Sequence, residues 1–333
     1  MERRHGKPVD PRRFKQRDLA DLRGGVETNR RRAASFKRAE SVAVDRCPVC
    51  EAPERSHLRT AFGYDYVRCG DCTHVYLTER PTEAALVEYF ASNDEVAGLY
   101  TDDRQRRYRR EHITEPKFDF VREHVDGGER WLDVGCGVGD SIDHLRSCGW
   151  DAVGLEPSEA CARVAREEFG VDLVERSLAE YADADREGSF DVVSLFGVLV
   201  MNPDPVAELR RARRLLGDDG FVAVGDGRAD SLSSLVHRAF PDEALRHSIP
   251  PIGLHQFTDG SLDRAFDAAG FEPVAVWDFG LDFYEFLTHL RLELDGFGDT
   301  DLHDYLMDNL DEFQQVVDDD ERSDYVLVVA RRS

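Results

Sequence analysis

Lysine is almost missing from this chain. Only Lys7, Lys15, Lys37 and Lys117 occur, so all but four of its 43 basic residues are arginine. Carboxylates are not scarce: 67 Asp and Glu leave a formal net charge of −24. That balance excludes a broad nucleic-acid surface, which needs clustered positive charge. A carboxylate-rich surface without lysine suits concentrated salt, where a Debye length of about 3 Å at 1 M removes most self-repulsion. It points to a halophilic source. No apolar run approaches the 18 or so residues of a membrane span. The charged N-terminus also lacks the apolar stretch of a secretory signal. The expectation is a cytoplasmic protein with no membrane partner. Disulfides are not expected in such a chain, so its seven cysteines need another reading.

What is present is organised around residues 131–140, WLDVGCGVGD. Trp131, Leu132 and Val134 form an apolar run suited to a buried strand. Gly135, Gly137 and Gly139 make a turn, and a helical pattern (SIDHLRSC) follows. This is the strand, glycine loop and helix of a doubly wound α/β sheet, with its ligand above the strand tip. A dinucleotide loop would require G-x-G-x-x-G, but the sixth position is Asp140. Asp133, just before the loop, suits an ammonium better than a phosphate. The next strand, 151–155, leads into Glu156, whose carboxylate can accept from both hydroxyls of a ribose. A ribose, an amine and no phosphate describe S-adenosylmethionine (SAM).

On these residues the chain resembles the class I SAM-dependent methyltransferases. Their first motif is similar to LDVGCGxG, and their second strand ends in an acid. The resemblance implies a Rossmann-like, seven-stranded sheet with helices on both faces. Expected strands are 130–134, 151–155, 171–175, 190–195 and 221–226, with 323–332 antiparallel beside the fifth. It also implies cofactor contacts at Asp133, Gly135, Cys136, Gly137, Glu156, Ser177, Leu178 and Phe196. Ser177 stands where many relatives have an Asp that meets the adenine amine. The fourth-strand motif, FDVVSLFGVLVMNPDP, resembles FDVVxxxxVLEHxxDP but carries Gly197 and Val200-Met201 at polar positions. No base is evident there. His255, in HQFTDGSL, matches the family's histidine and is the candidate for deprotonating a nucleophile.

Ahead of this domain (127–333) lie three segments. Residues 1–44 read as a basic tail, disordered or loosely helical. Its first 40 residues carry thirteen Arg or Lys against six Asp or Glu, and it is expected to touch RNA or the acidic body of its own chain. Residues 45–80 read as a zinc ribbon. Cys47 and Cys50, then Cys69 and Cys72, have the C-x2-C-x15–20-C-x2-C spacing of a structural tetrathiolate zinc site. So small a module would depend on the metal for folding energy, and His74, just beyond it, is expected at the surface. Residues 81–126 read as a helical connector that caps the cofactor, with Tyr100 or Tyr108 as possible contributors. Residues 228–257 and 281–318 are substrate-side additions, the latter expected as two helices. The expected activity is methyl transfer to a small molecule, a sugar or glycan precursor. The alternatives are RNA or protein methylation guided by ribbon and tail, and a SAM-binding protein whose chemistry has lapsed.

Overall fold

The computed structural model describes residues 1–333 apart from 8, 14–17, 93, 99–101, 126, 183–185, 244, 245 and 248. In chain order its strands are β1 (Glu2–His5), β2 (Ser41–Ala43), β3 (Arg55–Ala61), β4 (Tyr64–Cys69), β5 (Val75–Leu77), β6 (Glu79–Pro81), β7 (Arg130–Val134), β8 (Asp151–Leu155), β9 (Phe190–Phe196), β10 (Leu216–Gly227), β11 (His255–Gln256), β12 (Phe271–Phe279) and β13 (Tyr325–Arg332). The main sheet has seven strands in the order β1-β12-β13-β10-β9-β7-β8. β7 runs parallel to β8 and β9, and β10 parallel to β9. β13 lies antiparallel between β10 and β12.

Helices cover both faces of this mixed, Rossmann-like sheet. On one, Leu209 and Ala212 of helix Pro205–Leu215 pack with Leu262 and Phe266 of helix Asp259–Ala269. On the other, Phe118 and Phe120 of helix Glu115–Glu123 pack with Ile142 and Leu145 of helix Asp140–Ser147. Local signals behave as the sequence suggests. Ser158 caps the helix after β8 by accepting from the Cys161 amide, and Gly170, at φ 64°, closes the segment that follows. Asp204 caps helix Pro205–Leu215 through the Ala207 amide.

Three expectations are corrected. Residues 171–175 do not form a strand. The chain makes one parallel bridge, Leu155↔Val174, and the Arg176 amide then turns back onto the Val174 carbonyl at 2.8 Å. The seventh place is filled at the opposite edge by β1, paired parallel to β12 from Glu2↔Ala275 to His5↔Asp278. The basic tail is therefore not wholly disordered: it supplies that strand and an 18-residue helix, Leu19–Phe36. Its cations meet the acidic body, one of the two contacts expected of it. Arg3 meets Asp278 and Glu321, Arg4 meets Glu123, and Lys37 meets Glu79. Finally, the 281–318 addition holds three helices, Asp282–Glu293, Asp301–Asp308 and Leu310–Asp319.

The cysteine-bearing module has its own sheet, β3-β4-β5, but its outer place beside β5 is taken by β11 from the 228–257 insertion. Cys47, Val67 and Tyr76 join one buried cluster with Leu199, Phe257 and Leu262. The module thus borrows a core that its own length cannot supply. Among the described residues no helix is long and apolar enough to cross a membrane.

Candidate cofactor and acceptor site

At the tip of β7 the glycine loop folds back on β8, with the Gly135 and Cys136 amides donating to the Leu155 carbonyl at 2.8 and 3.1 Å. Gly135 sits at φ 68°, and a Cβ there would press on Val198. Only glycine combines that conformation with that approach. Asp133 is buried beneath the loop. Ser141 Oγ and Ser194 Oγ each donate to one of its oxygens at 2.6 Å, and Ser194 in turn accepts from the Trp131 indole at 2.9 Å. Burial pushes the Asp133 carboxyl up to about 6, against the two hydroxyls and the nearby Lys117 ammonium.

Glu156 reaches from the tip of β8 to the glycine loop. It accepts from the Gly137 amide at 3.0 Å and the Ser158 amide at 2.9 Å. Burial raises its pKa, and the two amides oppose the rise. A carboxylate has about four acceptor positions, so two remain for a diol.

Lys117 stands above the loop on helix Glu115–Glu123. Its ammonium lies 5.0 Å from the centre of the Phe196 ring and 5.9 Å from that of Tyr325. Burial lowers its pKa, while Asp140 and Asp133 hold it up. Asp140 opens helix Asp140–Ser147 and accepts from Thr114 Oγ1 at 2.7 Å. Lys117 makes no hydrogen bond or ion pair among the described residues. Its position beside the loop marks it as the cation left over for a ligand.

The structure brings Asp133, Gly135, Gly137, Glu156 and Phe196 to one end of the sheet. Cys136 is buried in the loop, its thiol packed over Gly154. Ser177 is spent on a capping box with Glu180, and Leu178 is a core residue. Tyr108 accepts from the Asp10 amide at 2.8 Å, and Tyr100 lies outside the described residues.

His255 is not placed as a base. It is buried in β11, with Nδ1 3.2 Å from His74 Nε2 and Nε2 2.9 Å from the Asn202 carbonyl. Burial lowers its pKa to about 4. His74, expected at the surface, is wholly buried beneath it, near Ser261 Oγ at 3.3 Å. The two histidines join the cysteine module to the insertion. The sulfurs of Cys47 and Cys72 lie 3.5 Å apart, as do those of Cys50 and Cys69, and all four fall within 4.8 Å of one another. Tetrahedral zinc with bonds of about 2.3 Å sets sulfurs about 3.8 Å apart, so the cluster fits one ion.

Sequence reasoning missed the far side of this end. Gly225 and Gly227 share one face of β10. A Cβ on Gly225 would run into the Tyr325 hydroxyl, and one on Gly227 would come within 3.2 Å of His247 Nδ1. The two glycines are seats for those rings. Tyr325 continues to Phe279 at a ring separation of 5.0 Å. Asp226, between the glycines, turns to the other face, where burial raises its pKa well above the carboxylate range. The spaced glycines of VGDG (224–227) and the rarity of lysine were the signals available.

Residues 83–276 match the family described as Methyltransferase domain. The chain is 30% identical over 183 residues to the ubiquinone biosynthesis O-methyltransferase of Methylococcus capsulatus, spanning 49% of this chain and 76% of that protein. It is 29% identical over 174 residues to the protein of the same description from Idiomarina loihiensis, spanning 49% and 71%. A SAM-dependent methyltransferase structure from Archaeoglobus fulgidus aligns with 16% identity and a TM-score of 0.47, over 67% of this chain and 94% of that one.

Proposed function

The chain belongs to the methyltransferase domain family and is a SAM-dependent methyltransferase, and we propose that it methylates a hydroxyl oxygen of a small, flat acceptor. Bound at the loop, SAM supplies a methyl group on a sulfonium, already reactive toward an aligned nucleophile. The residues at the loop fit it. Glu156 keeps acceptor capacity for the ribose diol, and Asp133 adds a buried negative charge behind the amine. Lys117 is free to meet the carboxylate of the methionine part. We assign Gly135, Cys136 and Gly137 the backbone contacts, and Ser177 and Leu178 a backbone place beside the adenine.

What carries the acceptor reading is the aromatic wall of Phe196, Tyr325 and Phe279 beside Lys117 at the strand tips. Aromatic faces and a cation suit a planar, electron-rich hydroxyl, and the relatives named above are O-methyltransferases. The sequence pointed instead to a sugar, and a sugar hydroxyl remains the competing acceptor. Four thiolates around one ion leave no open position, so we assign the cysteine module structural zinc and the protein a cytoplasmic location, where thiols stay reduced.

The test is calorimetry with SAM and S-adenosylhomocysteine (SAH) at multimolar KCl. Mass spectrometry after incubation with catechols and with sugar nucleotides then reads the acceptor. Micromolar binding with transfer to a catechol supports the proposal. Transfer confined to sugars, amines or RNA rejects it. Glu156→Ala should weaken binding roughly 100-fold, the value of two hydrogen bonds to a charge.

A further inference from the structure

Histidine suits proton removal from a hydroxyl, and the candidate chosen from sequence, His255, has both ring nitrogens occupied. The insertion carries another. His247 adopts φ 47°, a left-handed conformation uncommon outside glycine that it shares with Glu51, Phe62, Thr73 and Glu321 among the described residues. The surroundings are specific. Its ring lies over Gly227 at the tip of β10, 6.3 Å from the Tyr325 ring. Tyr325 in turn reaches Phe196 and Lys117, above the cofactor loop. Nε2 is buried and faces Asp324 Oδ2 at 3.6 Å, an ion-pair separation too long for a hydrogen bond, and neither ring nitrogen makes a hydrogen bond among the described residues.

Asp324 is itself fixed. Arg246 and Ser233 Oγ donate to its Oδ2, and its own amide donates to Asp282 Oδ2 at 2.8 Å. A buried carboxylate favours the proton on the imidazole nitrogen that faces it, here by charge at 3.6 Å, and so leaves the other nitrogen as the acceptor.

We propose that His247 is the general base of this enzyme and that Asp324 is its positioning residue, a role that rests on the hydroxyl-acceptor reading. Nδ1 takes the hydroxyl proton as the acceptor oxygen bonds to the methyl carbon. The carbon–sulfur bond breaks with its electron pair left on sulfur, and the imidazolium formed is held against Asp324 until it loses its proton to water. The groups bearing on His247 set when it works. Burial lowers its pKa first, Arg246 lowers it further, and Asp324 and Glu285 oppose them. His237, from helix Leu232–Ala239, and Tyr325 complete its titratable neighbours. The ring is therefore neutral, and able to accept, at neutral pH.

The experiment pairs imidazole NMR with kinetics on the zinc-loaded full chain, using His247→Gln and Asp324→Asn. Besides His255, whose Nε2 must donate to the Asn202 carbonyl, the expected spectrum shows a further neutral histidine in the Nε2–H form that is absent in His247→Gln and titrates at lower pH in Asp324→Asn. SAH affinity by calorimetry should stay within about twofold in His247→Gln, while catechol methylation falls about 100-fold or more and loses its acid limb. An Nδ1–H tautomer, or transfer within threefold of wild type in His247→Gln, overturns the base. Wild-type protein that binds SAH but methylates no hydroxyl removes the acceptor reading, and the base with it, which is a different outcome from an active enzyme indifferent to His247.

Discussion

The cofactor loop and the cysteine module meet the same sheet but are built by opposite means. In the loop, most partners are close in the chain: Asp133 binds Ser141, and Glu156 binds Gly137 and Ser158, with Ser194 on β9 the distant exception. In the module, partners are remote: His74 meets His255, and the Tyr66 hydroxyl donates to the Gly253 carbonyl. A local site can form wherever its strand and helix form. A remote one exists only when the whole chain has closed. The difference predicts that disturbing the module spreads into the insertion and the acceptor side, while disturbing the loop stays there.

The largest effect should come from the metal. Structural zinc contributes on the order of 10 kcal/mol to small tetrathiolate folds, comparable with the total stability of a typical domain. Because Cys47 and Tyr76 share a core with Leu199 and Phe257, Cys69→Ser or a strong chelator should lower one common melting transition by at least about 10 °C. Two separated transitions, with the SAH-stabilised one unmoved, would break the comparison and make the module an independent bead.

The second effect has opposite signs in the two regions. His255 is depressed to about 4 by burial, against about 6.5 in an unfolded chain. Its contribution is whole above pH 6.5 and is lost as pH falls toward 4, about 3 kcal/mol in all. Asp133 is raised to about 6, so its contribution is present below about pH 4 and is lost as pH rises through 6. Denaturant titrations from pH 7 to 4 should show His255→Gln with a shallower acid loss than wild type and Asp133→Asn with a steeper one. Parallel curves for both variants would mean that neither burial governs ionisation.

The same contrast explains what the sequence made legible. Strand, glycine loop, helix and acid at 156 are consecutive patterns with one physical solution. They were readable, as were four cysteines whose spacing matches tetrahedral geometry. Residues 171–175 were misread because an alternating pattern signals a strand but not whether its edge finds a partner for more than one bridge. The tail's contact with the acidic body was among the expectations, but arginine-rich composition did not show that residues 2–5 would add a strand to the main sheet. His255 was singled out because its motif is visible in sequence, whereas the hydrogen bonds that occupy both of its ring nitrogens are not. Lys117 was passed over although lysine is so rare here that each one invites a reason. The described ones have one: Lys7 donates to the Ile113 carbonyl, Lys37 pairs with Glu79, and Lys117 stands over the loop.

The smallest effect tests the N-terminal edge, where remoteness is greatest and burial least. Arg3 reaches Asp278 at 3.1 Å and Glu321 at 2.5 Å, and Asp278, fully buried, also holds Arg228 at 2.8 Å. Arg3→Ala leaves Asp278 with Arg228 and, at 3.9 Å, His5, so the loss should be about 1 kcal/mol, above the usual surface pair but well below an orphaned buried charge. Glu321 is half-exposed, so its share should vanish in 2 M KCl while the shielded Asp278 share persists. The measurement is the stability difference between variant and wild type at low and high salt, with amide exchange followed at Glu2–His5. A difference that falls by roughly half in salt, with β1 exchanging faster, confirms that the acidic body holds this strand. No difference at either salt would return residues 2–5 to the loose tail their composition suggests.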